Sequence, residues 1–291
     1  MGWEQTLIKG LQSLSGSFFD AVNLGITFLG DEIFFIVVAV VLYWCVDKRF
    51  AYKFMNVYIL SVAANEGLKS IVSRRRPYET EGIRSIGEKT SGYSFPSGHS
   101  QSIANISTQI NMKWKEGAPR KVFLSAGIAV TVLVMFSRMY LGQHYLTDVL
   151  AGAALGIVLA ALLGTLFDFL GDREEWIALG IIPLCLVIAV VLSVLGVQGV
   201  ANVMTVLGAY TAIAIGYFCE KKFVGYDVRS NRWWKYAVKM VIGLATTLAL
   251  KEGLKFAFDP EIYLLYNFLR YFIVGLWASL ACPLIFKLCR F

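Results

Sequence analysis

The sequence predicts an all-α polytopic membrane protein, a helical bundle of about nine transmembrane spans. Three observations carry that expectation. Of the 291 residues, 57% are hydrophobic and only 16% charged, with a mean hydropathy of +0.62, well outside the range of soluble domains. Apolar stretches approaching the ~20 residues needed to cross a bilayer recur along the chain between short polar loops. A chain immersed in lipid must pair its backbone groups internally, which leaves helices as the spanning element.

Taken in order, residues 1–30 mix Trp3, Leu7, Leu11, Phe18, Phe19, Leu24 and Phe28 with polar positions, which suits an amphipathic helix at the interface or packed on the bundle. The start, MGWEQT, fits a myristoylation pattern that a chain with many spans does not need. No cleavable signal is expected, because no apolar core follows a basic start. Spans are predicted at 33–47, 50–72, 98–113, 121–140, 147–169, 176–195, 201–219, 236–256 and 266–288. The second carries Asn65, Glu66 and Lys69, and the third Gln101, Asn105, Gln109 and Asn111. Polar groups are costly in lipid, so these two helices are expected to face the interior and support a site. Gly152 and Gly156 form a GxxxG pair, read as a close helix contact. Residues 31–170 then make a core and 171–291 add further transmembrane helices, with no linker to a separate soluble domain.

The net charge of +7 does not point to nucleic acid, because the basic residues sit in loops rather than along one stripe. They read as topology signals instead. Alternate loops divide the 27 Lys and Arg into 16 and 11, and the richer side is assigned to the cytoplasm together with the C-terminus. The loops at 73–97 and 138–146 then face outward. Cys45, Cys185, Cys219, Cys282 and Cys289 show no paired or metal-ligand spacing and read as packing residues. The exposed-type tryptophans Trp3, Trp176, Trp233, Trp234 and Trp277 read as interface belts.

Three clusters carry chemistry, and all fall in or beside those outward loops. Lys69 precedes Arg76-Pro77 by six intervening residues; Pro96-Ser97-Gly98-His99 follows; Ser137-Arg138 leads to His144 and then Asp148. The chain has two histidines, and both are here. Lys69, Arg76 and Arg138 are cations at the membrane margin, where an anion would compensate them, and Arg offers a planar fork matched to phosphate. Ser97 and Gly98 open a helix, so their backbone N–H groups are expected to cradle that anion. His144 and Asp148 are four apart and are expected on one helix face, with Asp148 accepting from one imidazole nitrogen and leaving the other free to attack phosphorus. His99 is then the general acid that protonates the leaving oxygen and afterwards activates water.

These residues closely resemble the three signature motifs of the type 2 phosphatidic acid phosphatase family, whose pattern is shared by vanadium haloperoxidases and glucose-6-phosphatases. The match spans about residues 60 to 160 and fills every defining position. The resemblance implies phosphate binding by Lys69, Arg76, Ser97, Gly98 and Arg138, a phosphohistidine at His144 paired with Asp148, and His99 as acid, with no metal and no cofactor. It also implies a lipid phosphate or lipid diphosphate substrate drawn from the bilayer. Compact bacterial members look like six-span bundles, so the extra apolar residues here are a departure, and the nine-span layout is similar to that of glucose-6-phosphatase.

Taken singly, each residue has a structural explanation: Lys69 and Arg76 as snorkelling anchors, Ser97 as a helix cap, His144 with Asp148 as a buried pair. Glu66 and Lys69, three apart, can simply pair. Arg74 and Arg75 read as contacts to anionic headgroups and are left out of the site. Alternatives to lipid phosphate hydrolysis are a soluble sugar phosphatase, a phosphotransferase and a catalytically idle lipid-binding or translocating bundle. Substrate identity is not legible here, nor is oligomeric state, with which a homo-oligomer is compatible.

Overall fold

A computed structural model describes residues 2–114, 118–194, 200–230, 232–256 and 263–291. Met1, Lys115 of the loop tally and the final residue of the predicted 176–195 span lie outside the described residues. Among the described residues all regular structure is helical, and each of the nine predicted stretches is occupied by helix. The described residues gather into two compact units, Met1–Phe35 with Leu60–Thr165 and Ile36–Ile59 with Leu166–Phe291.

The first unit opens with α1 (Trp3–Gln12) and α2 (Ser17–Thr27), two helices where one was expected. The polar segment between them breaks the helix, and Gly16 is extended at the start of α2. α1 is amphipathic: Ile8 is fully buried against Ile83 and Tyr145, whereas Trp3 and Leu7 are exposed. Gln12 fastens α1 further, its amide donating to the Arg84 and Tyr140 carbonyls and its oxygen accepting from Arg84 N.

α3 (Glu32–Val41) follows, then α4 (Lys48–Val72), whose C-terminal half belongs to the first unit with α5 (Gly98–Lys113), α6 (Ala118–Tyr140) and most of α7 (Leu146–Leu170). α5 and α7 touch backbone to side: a Cβ on Gly152 would collide with the Ser97 carbonyl and one on Gly156 with the Gln101 carbonyl, so the GxxxG face is the close contact its pattern predicts. Polar residues of α4 and α5 bond to one another. Gln101 donates to Ser61 O and Oγ at 2.6 Å each, Asn65 donates to Gln101, and Gln109 donates to Asn105 at 2.7 Å. Beyond α6 the chain turns at Gly142, whose φ of +73° and contact with the Arg84 carbonyl leave no room for a side chain.

The second unit holds α8 (Glu174–Val194), α9 (Val200–Cys219), α10 (Trp233–Gly253), α11 (Tyr263–Leu276) and α12 (Cys282–Leu288), with wide π-helical turns at Leu42–Val46, Glu220–Val224 and Trp277–Ala281. Pro283 lacks the N–H that would close the turn before it. Donors arrive from elsewhere: Tyr43 Oη bonds Ser279 O at 2.9 Å and Trp44 Nε1 bonds Ala278 O at 2.9 Å. Lys239, also fully buried, bonds Tyr226 Oη at 2.5 Å and Val228 O at 3.1 Å.

The number of helices long and apolar enough to cross a membrane is five among the described residues, or six if the bent pair Ser17–Gly30 and Glu32–Val46 forms one span. The expected nine exceed this because α4 and α10 carry interior charge and α5 has 16 residues, about 24 Å of helix against a hydrocarbon core of about 30 Å. The five cysteines are unpaired, and Cys289 is exposed, so the packing account does not extend to it. Of the tryptophans, Trp3, Trp176, Trp233 and Trp234 are exposed, while Trp277 donates to Thr246.

Candidate active site

His144 sits in the loop between α6 and α7, one residue short of being beside the helix start and not on the helix face expected from its spacing. The loop is fixed from α6: the backbone N–H groups of Gln143 and His144 both donate to Arg138 O, at 3.1 and 3.2 Å. The ring is fixed at both nitrogens. Nδ1 lies 2.8 Å from Ser94 O, and Nε2 lies 3.2 Å from Arg76 Nη1. A guanidinium only donates, so Nε2 is the acceptor and the proton belongs on Nδ1. Burial then holds the imidazole neutral, lowering its pKa to about 3, with Asp148 opposing the shift and Arg138 and Arg76 reinforcing it.

Asp148 occupies the first turn of α7 and is fully buried. Its Oδ2 turns back to accept from Tyr145 N at 2.8 Å and from Ser94 Oγ, and stands 3.8 Å from His144 Nδ1. The predicted direct bond between the pair is thus replaced by a shared partner, Ser94, whose carbonyl takes the His144 proton and whose hydroxyl holds the carboxylate. Oδ1 accepts from Arg74 Nη1 at 2.6 Å.

Arg76 is 1% exposed and held like a framework element. It donates to Gly92 O at 2.8 Å, Ser91 O at 2.9 Å and Gln143 O at 3.2 Å, besides His144. Burial lowers its pKa, yet a guanidinium stays charged in proteins. Arg138, 4% exposed, bonds Thr27 and Thr90 hydroxyls at 3.1 Å each, and its Nε has no partner. A buried cationic donor without a partner is suited to an anion.

Ser97 caps α5, accepting from Ser100 N at 3.4 Å, as a cap residue should. Its own N–H donates to Asp148 O at 3.0 Å, so the N–H groups that remain for an anion are those of the first helical residues, Gly98 and His99, with the Ser97 hydroxyl beside them. Lys69 pairs with Glu66 at 2.8 Å, and its Nζ stands 3.7 Å from where a Cβ on Gly98 would lie, so the ammonium reaches this helix start. His99 lies within electrostatic reach of Arg138, His144, Lys69 and Arg76. All eight candidate residues belong to the first unit, where Arg76 meets His144 and Lys69 reaches the start of α5 that carries Ser97, Gly98 and His99. His144, His99 and Asp148 supply acid–base and nucleophilic groups; among the described residues no cluster of three or more His, Cys, Asp and Glu has metal-ligand geometry.

Sequence reasoning missed Arg74, Ser94, Thr27, Thr90 and Glu4. Arg74 is tied to Asp148, because the turn after α4 brings it against the start of α7. Its place two residues before Arg76 was the available signal.

The family model described as "PAP2 superfamily" matches residues 50–172, and one described as "PAP2 superfamily phosphatase, transmembrane extension" matches residues 204–291. Among curated proteins the chain is 36% identical over 101 residues to Phosphatidylglycerophosphatase B of Bacillus subtilis, covering 33% of this chain and 47% of that protein. It is 26% identical over 165 residues to mouse Sphingosine-1-phosphate phosphatase 2, covering 55% and 45%. The chain thus spans about half the length of the curated relatives it matches. A solved transmembrane PAP2-type phosphatidylglycerolphosphate phosphatase from Bacillus subtilis superposes with a TM-score of 0.50 at 26% identity, over 58% of this chain and 86% of that one. Aquifex aeolicus LpxE shares the fold, with a TM-score of 0.50 at 19% identity over 57% and 96%.

Proposed function

Because the chain belongs to the PAP2 superfamily, we propose that it hydrolyses a phosphate or diphosphate ester carried by a membrane lipid, through a phosphohistidine on His144. The observation that carries this reading is the imidazole of His144, protonated at Nδ1 by its bond to Ser94 O and presenting the Nε2 lone pair toward Arg76.

A phosphoryl group entering between His144 and the cations meets Arg76, the free Nε of Arg138, Lys69 and the N–H groups opening α5. Nε2 attacks phosphorus and the bond to the lipid oxygen breaks, while His99 gives that oxygen its proton. The ring becomes a cationic N-phosphoimidazolium, which the Asp148 carboxylate and the Ser94 carbonyl stabilise from the Nδ1 side. Neutral His99 then takes a proton from water, the hydroxide attacks phosphorus, the P–N bond breaks and phosphate leaves. The cationic pocket supplies the charge stabilisation that a metal supplies elsewhere, which supports metal-independent turnover.

Lipid-borne substrates are favoured by the apolar composition and by the kinds of molecule named for the relatives: a sphingoid phosphate, phosphatidylglycerophosphate and, for a Sulfolobus acidocaldarius protein 29% identical over 100 residues, undecaprenyl diphosphate. The uneven loop charges support an outward-facing site and a cytoplasmic C-terminus. The test is phosphate release by the detergent-solubilised chain from these lipids and phosphatidic acid in EDTA. Release that survives chelation and vanishes in His144→Ala is expected; turnover in that variant would reject the mechanism.

A further inference from the structure

We propose that Arg74, held by Glu4 of the N-terminal helix, is a positioning residue for Asp148, so that α1 is a strap across the catalytic loop. The inference rests on the reading of His144 and Asp148 as the catalytic pair.

Arg74 Nη1 donates to Asp148 Oδ1 at 2.6 Å and to Thr147 Oγ1 at 2.7 Å, and its Nη2 donates to Glu4 Oε2 at 2.7 Å. Its guanidinium lies 4.0 Å from the centre of the Tyr145 ring, which fixes the plane of the fork. The other oxygen of Glu4 accepts from Thr147 N and Oγ1, both at 2.9 Å, so this carboxylate also closes the N-terminus of α7. One residue of α1 is therefore joined to both the helix that bears Asp148 and the arginine that grips it.

Arg74 differs from the phosphate-binding cations. Both of its terminal nitrogens are engaged by carboxylates, whereas Arg76 points at the nucleophile and Arg138 keeps an unpaired donor. Its geometric effect falls on Asp148. With Oδ1 held by Arg74, and Oδ2 by Tyr145 N and Ser94, the carboxylate cannot rotate away from the imidazole when that ring becomes cationic. α1 carries an exposed Trp3 and Leu7, so the strap is also a part of this unit suited to lie in an interface.

The experiment uses the full chain in detergent micelles with the lipid phosphate it hydrolyses, comparing Arg74→Met, Arg74→Lys, Glu4→Gln and the double variant. The two histidines also allow ¹⁵N-imidazole spectra in which His144 and His99 are assigned by His99→Gln. Arg74→Met is expected to lower kcat by about 10- to 100-fold with KM changed less than about 2-fold. Arg74→Lys restores part of kcat, Glu4→Gln loses less, and the double variant loses no more than Arg74→Met, because Glu4 acts through Arg74. The His144 resonances move in Arg74→Met and the His99 resonances do not. A raised KM at constant kcat would make Arg74 a phosphate ligand and overturn the proposal, as would an unchanged kcat. Multiplicative loss in the double variant overturns the role of Glu4. If the unmodified chain releases phosphate from no lipid, the functional reading fails separately, and the His144 spectrum alone decides the strap: movement on Arg74→Met supports it and a static spectrum ends it.

Discussion

Arg76 Nη1 and His144 Nε2 are 3.2 Å apart, so the cation that should receive the phosphate donates to the very nitrogen that should attack it. The two roles are compatible only in sequence. In the proposed mechanism Arg76 occupies the Nε2 lone pair until a phosphoryl oxygen takes over its N–H and uncovers Nε2 beside phosphorus.

Replacing Arg76 with Lys keeps a charge and loses this exchange. A single ammonium cannot reach Ser91 O, Gly92 O, Gln143 O and the ring together. We expect kcat/KM for lipid phosphate to fall by about 10²- to 10³-fold, in steady-state assays, with the chain still folded. Activity within a few-fold of the parent would show that the fork is not used.

The neutral state of His144 also links stability to pH. Between about 6.5, its ordinary value, and about 3, its value in the fold, the unfolded chain binds a proton that the folded chain excludes. Stability therefore rises with pH across that window and is unaffected by this group above it. Thermal melts in detergent from pH 4 to pH 8 should show the slope, and His144→Gln should flatten it; an equal slope in both chains would assign it elsewhere.

Gly152 has no space for a methyl group, because the Ser97 carbonyl occupies the position. Gly152→Ala should force α5 and α7 apart, costing about 1–3 kcal/mol. It should also move the cap that precedes His99, so melting temperature and kcat fall together. Loss of neither would mean that the helices do not meet at that glycine.

In the second unit, Tyr43→Phe strips the donor from Ser279 O beside Pro283. The unsatisfied carbonyl should cost about 1–3 kcal/mol, read as a lower melting temperature. An unchanged melt would mean that lipid or water replaces the hydroxyl.

The helices were legible because apolar runs of spanning length leave a mark that survives any packing, and the site was legible where residues of one motif are close in sequence. Lys69, Arg76, Ser97, His99, Arg138 and His144 could be put forward as candidates for that reason. The geometry among them was less so. The four-residue spacing of His144 and Asp148 suggested a helix face, but the helix begins at Leu146, and Ser94 comes between the pair. Thr27 and Thr90 on Arg138, or Glu4 on Arg74, join segments far apart in the chain. No periodicity announces such contacts. Length and composition do not confirm the count of nine for a related reason: hydropathy does not distinguish a helix facing lipid from one whose polar residues pair with neighbours, as in α4 and α5.

The short turn Phe28–Gly30 closes against α5 so tightly that a Cβ at position 30 would lie 2.8 Å from both Cβ and the carbonyl oxygen of His99. The wall behind the proposed acid is thus bare main chain from the opening segment, and the Cβ from which the ring hangs is seated against a residue that carries no chemistry of its own. Any methyl introduced there would press on the main chain and Cβ of His99, so drift at position 30 would displace the proposed proton donor at its root.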